Sequence, residues 1–207
     1  MVSASVKNLI FDLGGVILDL SVDSTLQQFS GLSGLDKQQV ARLFQTSSGF
    51  VDYEKGLISD NDFRDFVRKL YSVQATDQEL DRCWNAMLVR IPPAKLSLLL
   101  KLKEQYNVIL LSNTNTIHLN YINGTVVPAA GGHALDHYFH RSYYSHLLKK
   151  RKPDAEIFEQ VLQENNLIAG QTLFLDDNAE NIAGAQSLGI QTVHVTTPDL
   201  MLDYFHA

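Results

Sequence analysis

Cysteine is nearly absent from this chain: Cys83 stands alone among 207 residues. An internal disulfide is therefore excluded, and the composition fits a reducing compartment. Basic charge is also scarce. Lys and Arg number 17 against 23 Asp and Glu, a net charge of −6, and the one basic run is Lys149-Lys150-Arg151-Lys152. That balance argues against nucleic acid as a partner. No apolar run approaches the roughly 20 residues needed to cross a bilayer, and no apolar leader marks the N-terminus. The expectation is a cytoplasmic protein with no membrane partner, a monomer or homodimer. Repeats and low-complexity stretches are missing too. The length allows a core of ordinary size with room for one inserted module.

What is present centres on Leu9-Ile10-Phe11-Asp12-Leu13-Gly14-Gly15-Val16-Ile17. A short apolar run without alternation reads as a strand buried on both faces. It ends in a carboxylate, where open α/β sheets place their ligands. The glycines after it let the backbone turn and approach whatever Asp12 holds. A structural Asp capping a turn would look the same, so this stretch alone does not decide.

From about Val22 to Ile91 the periodicity is helical. Val22, Leu26 and Phe29 share a face, as do Val40, Leu43 and Phe44 after Asp36. Ser59 with Asp62 reads as an N-cap and acidic first turn. Thr76 with Glu79 is a capping box, followed by Leu80, Cys83, Trp84 and Met87 at helical spacing. The spacing predicts an insert of about four helices, closed by Pro92-Pro93. Its aromatics and Met87 read as bundle core rather than ligand pocket. Gly49 to Gly56 breaks the helices, either as a loop facing a site or as a plain connector.

From Ala94 helix and strand alternate. Val108 to Leu111 is a buried strand ending in Ser112-Asn113-Thr114-Asn115. A looser stretch from Tyr121 to His140 follows; the spacing of His133, His137 and His140 suits no standard metal site. Arg141 to Ser145 reads as another strand. Lys152-Pro153 then opens a helix with Pro at its first position. Thr172 to Leu175 is a buried strand ending in Asp176-Asp177-Asn178. A helix with Ile182 and Ala185 stops at Gly189, and Ile190 to Val195 forms a last strand. This alternation implies a Rossmann-like α/β fold, a parallel sheet with helices on both faces.

In a parallel sheet the strand ends Asp12, Ser112 with Asn113, and Asp176-Asp177 emerge on one edge. With Lys152 they would assemble three carboxylates, a hydroxyl and an ammonium. Crowded carboxylates raise one another's pKa unless a cation sits among them, and an all-oxygen set suits Mg²⁺. Lys152 would neutralise further negative charge, Ser112 and backbone amides would hold phosphate oxygens, and Asp12 would be an ionised nucleophile.

The set Phe-Asp12-Leu-Gly-Gly-Val, Leu-Leu-Ser112-Asn113-Thr-Asn, Arg-Lys152-Pro-Asp and Phe-Leu-Asp176-Asp177-Asn178-Ala-Glu-Asn181 resembles the motifs of the haloacid dehalogenase-like hydrolases. They come in the right order over nearly the whole chain. The insert resembles that family's first-position cap. This divides the chain into a core of residues 1–17 and 92–207 and a cap of residues 18–91. The look is that of the branch holding α-D-glucose-1-phosphatase and the amino-terminal phosphatase domain of soluble epoxide hydrolase. The resemblance implies a Mg²⁺-dependent phosphatase of a small phosphorylated metabolite, with an aspartyl-phosphate at Asp12. Mg²⁺ would be held by Asp12, the carbonyl of Gly14 and Asp177. Catalysis would fall to Asp12 and Lys152, and substrate binding to Ser112, Asn113, Gly14 and Gly15. Asp176 and Asn181 would support the set from behind, Asp176 by orienting Lys152 or a metal-bound water.

Two positions depart from the family pattern. Gly14 stands where most phosphatases of the family carry an acid–base Asp, a group that contributes about 10²–10⁴-fold in rate. Its loss matters least for a leaving group that departs readily as an anion, so a sugar phosphate is expected, with the sugar 1-phosphate favoured. Asp19 or a group of the cap could stand in, and the spacing singles out neither. Lys149 stands where relatives often have glycine; a positive φ there would strain it, so a different loop is expected. Two alternatives compete. One is a slow or non-catalytic module binding phosphorylated ligands or another protein. The other is a haloacid dehalogenase, against which the paired Asp176-Asp177 speaks.

Overall fold

In a computed structural model, which describes residues 3–206, the central apolar run is strand β1 (Asn8–Phe11). Leu9, Ile10 and Phe11 are fully buried. Successive strand residues point to opposite faces, so burial of all three requires cover on both. Ile10 packs with Ile109, Phe158 and Phe174, while Leu9 and Phe11 join Leu99, Val108 and Leu175 in a second apolar cluster. Each such side chain stabilises the fold by about 1.5–3 kcal/mol on burial.

After β1 come strand β2 (Asp19–Leu20), helices α1 (Val22–Ser33), α2 (Lys37–Thr46), α3 (Gly49–Glu54), α4 (Asp60–Tyr71) and α5 (Asp77–Asn85), and strand β3 (Leu88–Arg90). Strands β2 and β3 pair antiparallel, so the insert leaves and rejoins the core as a two-stranded ribbon. Strands this short carry no readable alternation, and the helical reading passes over them. The stretch from Gly49 that was expected to break the helices is helix α3 as far as Glu54. Phe50 and Tyr53 anchor it in the insert's interior.

The expected capping at Ser59–Asp62 and Thr76–Glu79 is present as two reciprocal boxes, and Asp36–Gln39 makes a third. A side-chain N-cap contributes about 1 kcal/mol. The insert's interior is aromatic: Tyr53 stacks on Phe63 at 4.0 Å and Phe50 lies 5.4 Å from Trp84. Arg64 clamps α4 to α5 through Asp81 at 2.9 and 2.8 Å.

The core resumes with α6 (Pro93–Lys103), β4 (Asn107–Ser112), α7 (Thr116–Tyr121) and α8 (Val127–Ala129). It continues through β5 (Arg141–Tyr144), α9 (Ser145–Leu148), α10 (Ala155–Glu164), β6 (Thr172–Asp176), α11 (Ala179–Ser187), β7 (Gln191–His194) and α12 (Leu200–His206). One parallel sheet of order β5-β4-β1-β6-β7 results. The chain runs outward from β1 to β4 and β5, then returns to β6 and β7 on the other side. Strand order therefore reverses between β1 and β6, where the carboxyl ends of a doubly wound sheet open a crevice.

Two local expectations are corrected. Pro153 does not open α10: the Lys152–Pro153 peptide is cis, Asp154 is the N-cap and the helix begins at Ala155. Lys149 does take a positive φ, 58°, and its ammonium donates to the Gly56 carbonyl. That contact ties the turn to the end of α3 and keeps a lysine where glycine is the easier choice. Among the described residues no helix is long and apolar enough to cross a membrane. Residues 1, 2 and 207, which the expected core includes, lie outside the described residues.

Candidate active site

Asp12 directly follows β1, and its N–H donates to the Leu175 carbonyl at 2.9 Å. The ladder therefore continues one residue past the strand and fixes Asp12 at the carboxyl edge. Asp176 closes β6 and Asp177 comes next. One carboxylate oxygen from each of Asp12, Asp176 and Asp177 lies within 4.8 Å of the others. Lys152, fully buried, places Nζ 2.8 Å from Asp12 Oδ1 and 2.6 Å from Asp176 Oδ2.

The three carboxylates are not equivalent. Asp176 accepts from Asn181 Nδ2 at 3.0 Å on both oxygens, from the Asn178 N–H at 2.8 Å and from Lys152. Its lone pairs are engaged, and it positions the lysine. Asp177 is exposed and lies over Gly15, whose φ is +71°. A Cβ at Gly15 would sit 2.2 Å from Asp177 Oδ2, so only glycine leaves the carboxylate room.

Burial pushes Asp12 up to about 7 against the pull of Lys152, and Asp176 adds to the rise. Burial, then Asp176, raises Asp177 as well. Lys152 is held above its usual range because Asp12 and Asp176 overcome its own desolvation. One ammonium among three carboxylates leaves negative charge uncompensated. A cation would ionise Asp12, and the all-oxygen donors suit Mg²⁺.

A cavity of about 200 Å³ lies between the sheet edge and the insert. Leu13, Gly14 and Ser112 border it from the core, Glu54 and Trp84 from the insert. Phe44 and Met87 line it too, so these residues expected purely as bundle core also form its wall.

The family model of haloacid dehalogenase-like hydrolases matches residues 6–189. This chain belongs to that family. The D-ribitol-5-phosphate phosphatase of Bacteroides thetaiotaomicron is 31% identical over 187 residues, 90% of each chain. A haloacid dehalogenase family enzyme of the same organism, solved with magnesium and inorganic phosphate, superposes with a TM-score of 0.84. It is 38% identical, over 91% of this chain and 93% of that one. A predicted haloacid dehalogenase-like family hydrolase of Porphyromonas gingivalis is 28% identical with a TM-score of 0.84, over 94% and 92% of the two chains. The chain is a hydrolase of the family's phosphatase type, with Mg²⁺ as its cofactor.

Within this hydrolase the motif residues divide by what they touch. The side chain of Asn113, a residue expected at the substrate, grips the main chain of Lys152: Oδ1 accepts from the Lys152 N–H and Nδ2 donates to its carbonyl, both at 2.9 Å. The amide is committed at both ends, which leaves the main chain at Asn113 as the part of this residue able to face a substrate. Ser112 ends β4 beside the cavity. At Gly14 a Cβ would meet Leu20 Cδ1 at 2.6 Å, so a leucine of the ribbon fills the space above the glycine.

The motif reading also passed over Glu54, Arg151 and Ser145. Arg151 Nη2 donates to Glu54 Oε2 at 2.9 Å, and burial raises the Glu54 pKa against that arginine. Only the basic run ahead of Pro153 and the glycine-flanked stretch of the insert hinted at these residues in the sequence.

Proposed function

We propose that this chain is a Mg²⁺-dependent phosphatase of a small sugar phosphate, working through an aspartyl-phosphate at Asp12. The observation that carries the reading is the convergence of Asp12, Asp176 and Asp177 to within 4.8 Å, with Lys152 bonded to Asp12 at 2.8 Å. Residues 18–91 act as a cap over a core of residues 1–17 and 92–207. Asp12, Asp177 and the Gly14 carbonyl would hold Mg²⁺. When bound, that ion offsets charge on the phosphoryl oxygens and keeps Asp12 ionised. Asp12 attacks phosphorus and Lys152 stabilises the negative charge being transferred. Ser112 and the main chain at Gly14, Gly15 and Asn113 hold phosphate oxygens. Asp176 and Asn181 fix Lys152. The cap excludes bulk water while the acyl phosphate exists.

The leaving group bears on the finer choice of substrate. Gly14 supplies no proton to a departing alkoxide, so a sugar 1-phosphate, with its more acidic anomeric oxygen, is favoured over a 6-phosphate. The test is release of inorganic phosphate from a broad panel of phosphorylated metabolites, with Mg²⁺ and after chelation, beside an Asp12→Asn control. Multiple turnovers that need both Mg²⁺ and Asp12 are expected. Undiminished release after chelation overturns the reading. Gly14 also favours a second reading, a phospho-ligand binder that turns over slowly, and single-turnover behaviour across the whole panel would establish it.

A further inference from the structure

We propose that Glu54 is the general base that activates water against the aspartyl-phosphate, a role that rests on the phosphatase reading. Water must be deprotonated for the second half of the reaction whatever the first leaving group is. Gly14 carries no carboxylate for that purpose, and three titratable side chains near the cavity are candidates for the base.

Asp19 is bound by Arg90 at 3.0 Å and by the buried Lys95 at 3.3 Å. Each of its carboxylate oxygens is thus engaged by a cation, and it lines a groove with Gly15, Asp177 and His194 rather than the cavity under the insert. His118 lines the cavity, but its ring stacks on Trp84 at 4.6 Å. Its Nε2 meets the Trp84 carbonyl at 3.1 Å and its Nδ1 meets Asn115 at 3.3 Å. Both ring nitrogens are therefore committed. Glu54 is the remaining titratable side chain along the cavity wall.

Its placement is fixed from the core. The Ser145 hydroxyl donates to the Glu54 carbonyl at 2.6 Å and accepts the Thr114 N–H at 2.9 Å. This ties the end of α3 to the loop after β4. Arg151 binds Oε2 at 2.9 Å, and Oε1 has no hydrogen-bond partner among the described residues. Arg151 directly precedes Lys152, whose main chain Asn113 grips, so the carboxylate is indexed to the nucleophile's own lysine. Arg151 favours the ionised form that can accept a proton, while burial makes that form more basic than a free glutamate.

A water in the cavity approaches phosphorus from the insert side, in line with the bond to Asp12. Its oxygen bonds to phosphorus as the P–Oδ bond of Asp12 breaks and the aspartate recovers its carboxylate. The water's proton passes to Glu54 Oε1 and later leaves to solvent, and inorganic phosphate departs.

Glu54→Gln keeps the shape and the arginine contact while removing the base. With Mg²⁺ and glucose 1-phosphate, this variant is expected to release about one glucose per chain in a burst. It then turns over about 10²–10⁴-fold more slowly than wild type. Acid-quenched chains should carry a phosphoryl group on Asp12 that hydroxylamine removes, a label that only folded, active chains acquire. Arg151→Gln breaks the same ion pair but keeps the carboxylate, and should accumulate far less label. A fall in both half-reactions without a burst overturns the assignment, as does equal label in the two variants. A wild-type chain that releases no phosphate from any substrate overturns the phosphatase reading instead.

Discussion

Lys152 Nζ lies 2.6 Å from Asp176 Oδ2, with neither side chain exposed to solvent. Removing one partner of a buried pair leaves the other charge without compensation, at a cost of about 3–5 kcal/mol. Asp176→Asn is therefore expected to lower unfolding stability by that order in urea titrations. Lys152→Met should do the same. The double variant should lose clearly less than the sum, because either single change already removes the 2.6 Å contact between them. Additive losses would mean that the two side chains do not stabilise each other.

Gly15 and Gly14 are neighbours with opposite tolerance. At Gly15 the φ of +71° and the 2.2 Å approach of Asp177 Oδ2 mean that a methyl group must strain the turn or displace the carboxylate. Gly15→Ala should weaken Mg²⁺ binding at least tenfold, about 1.4 kcal/mol, as read by calorimetric titration. At Gly14 the obstacle is the flexible end of Leu20, which can swing aside. Gly14→Ala should leave Mg²⁺ affinity within about threefold of wild type, well inside the same energy scale.

The metal site should report its own protonation. Without a cation Asp12 holds its proton up to about 7, whereas the unfolded chain releases it near 3.8, the ordinary value. Between those values the native state binds more protons, so this group's contribution to stability falls as pH rises across the window and is level above it. Mg²⁺ needs the ionised carboxylate. Its affinity should climb with pH up to about 7 and then flatten, with the raised pKa of Asp177 acting in the same direction. Calorimetry at pH 6 and 8 in buffers of different ionisation heat should find proton release at the lower pH and little at the higher. A pH-independent affinity would contradict the raised pKa of Asp12.

The parts of the site that lie in local sequence were legible. Asp12, Ser112 and Asp176 each end a run of buried residues, and the sheet brings those ends to one edge by topology alone. Thr76–Glu79 could be read because a capping box spans only four residues. Contacts made across the fold could not be read. The Asn113 side chain reaches Lys152 over a separation of 39 residues, and Glu54 meets Arg151 over 97. Nothing in the immediate neighbourhood of either residue sets that partner. The ribbon of Asp19–Leu20 and Leu88–Arg90 was missed for a related reason: its pairing is long-range and its strands are too short for a period. Lys149 was misjudged because the Gly56 carbonyl that holds its ammonium lies in the insert.

Gly14→Asp tests the leaving-group argument directly. An aspartate there would stand beside the phosphoryl group and could protonate a departing alkoxide. A Cβ at position 14 would meet Leu20 Cδ1 at 2.6 Å, and Leu20 is 40% exposed, so its side chain has somewhere to go. General acid catalysis contributes about 10²–10⁴-fold when the leaving group is poor and far less when it is good. The ratio of glucose 6-phosphate to glucose 1-phosphate turnover should therefore rise by about tenfold or more, chiefly through the 6-phosphate. Combining the change with Leu20→Ala should preserve or enlarge that gain by opening the space above position 14. An unchanged ratio in both variants would show that protonation of the leaving group does not limit this enzyme, and the proposed preference for anomeric phosphates would lose its physical basis.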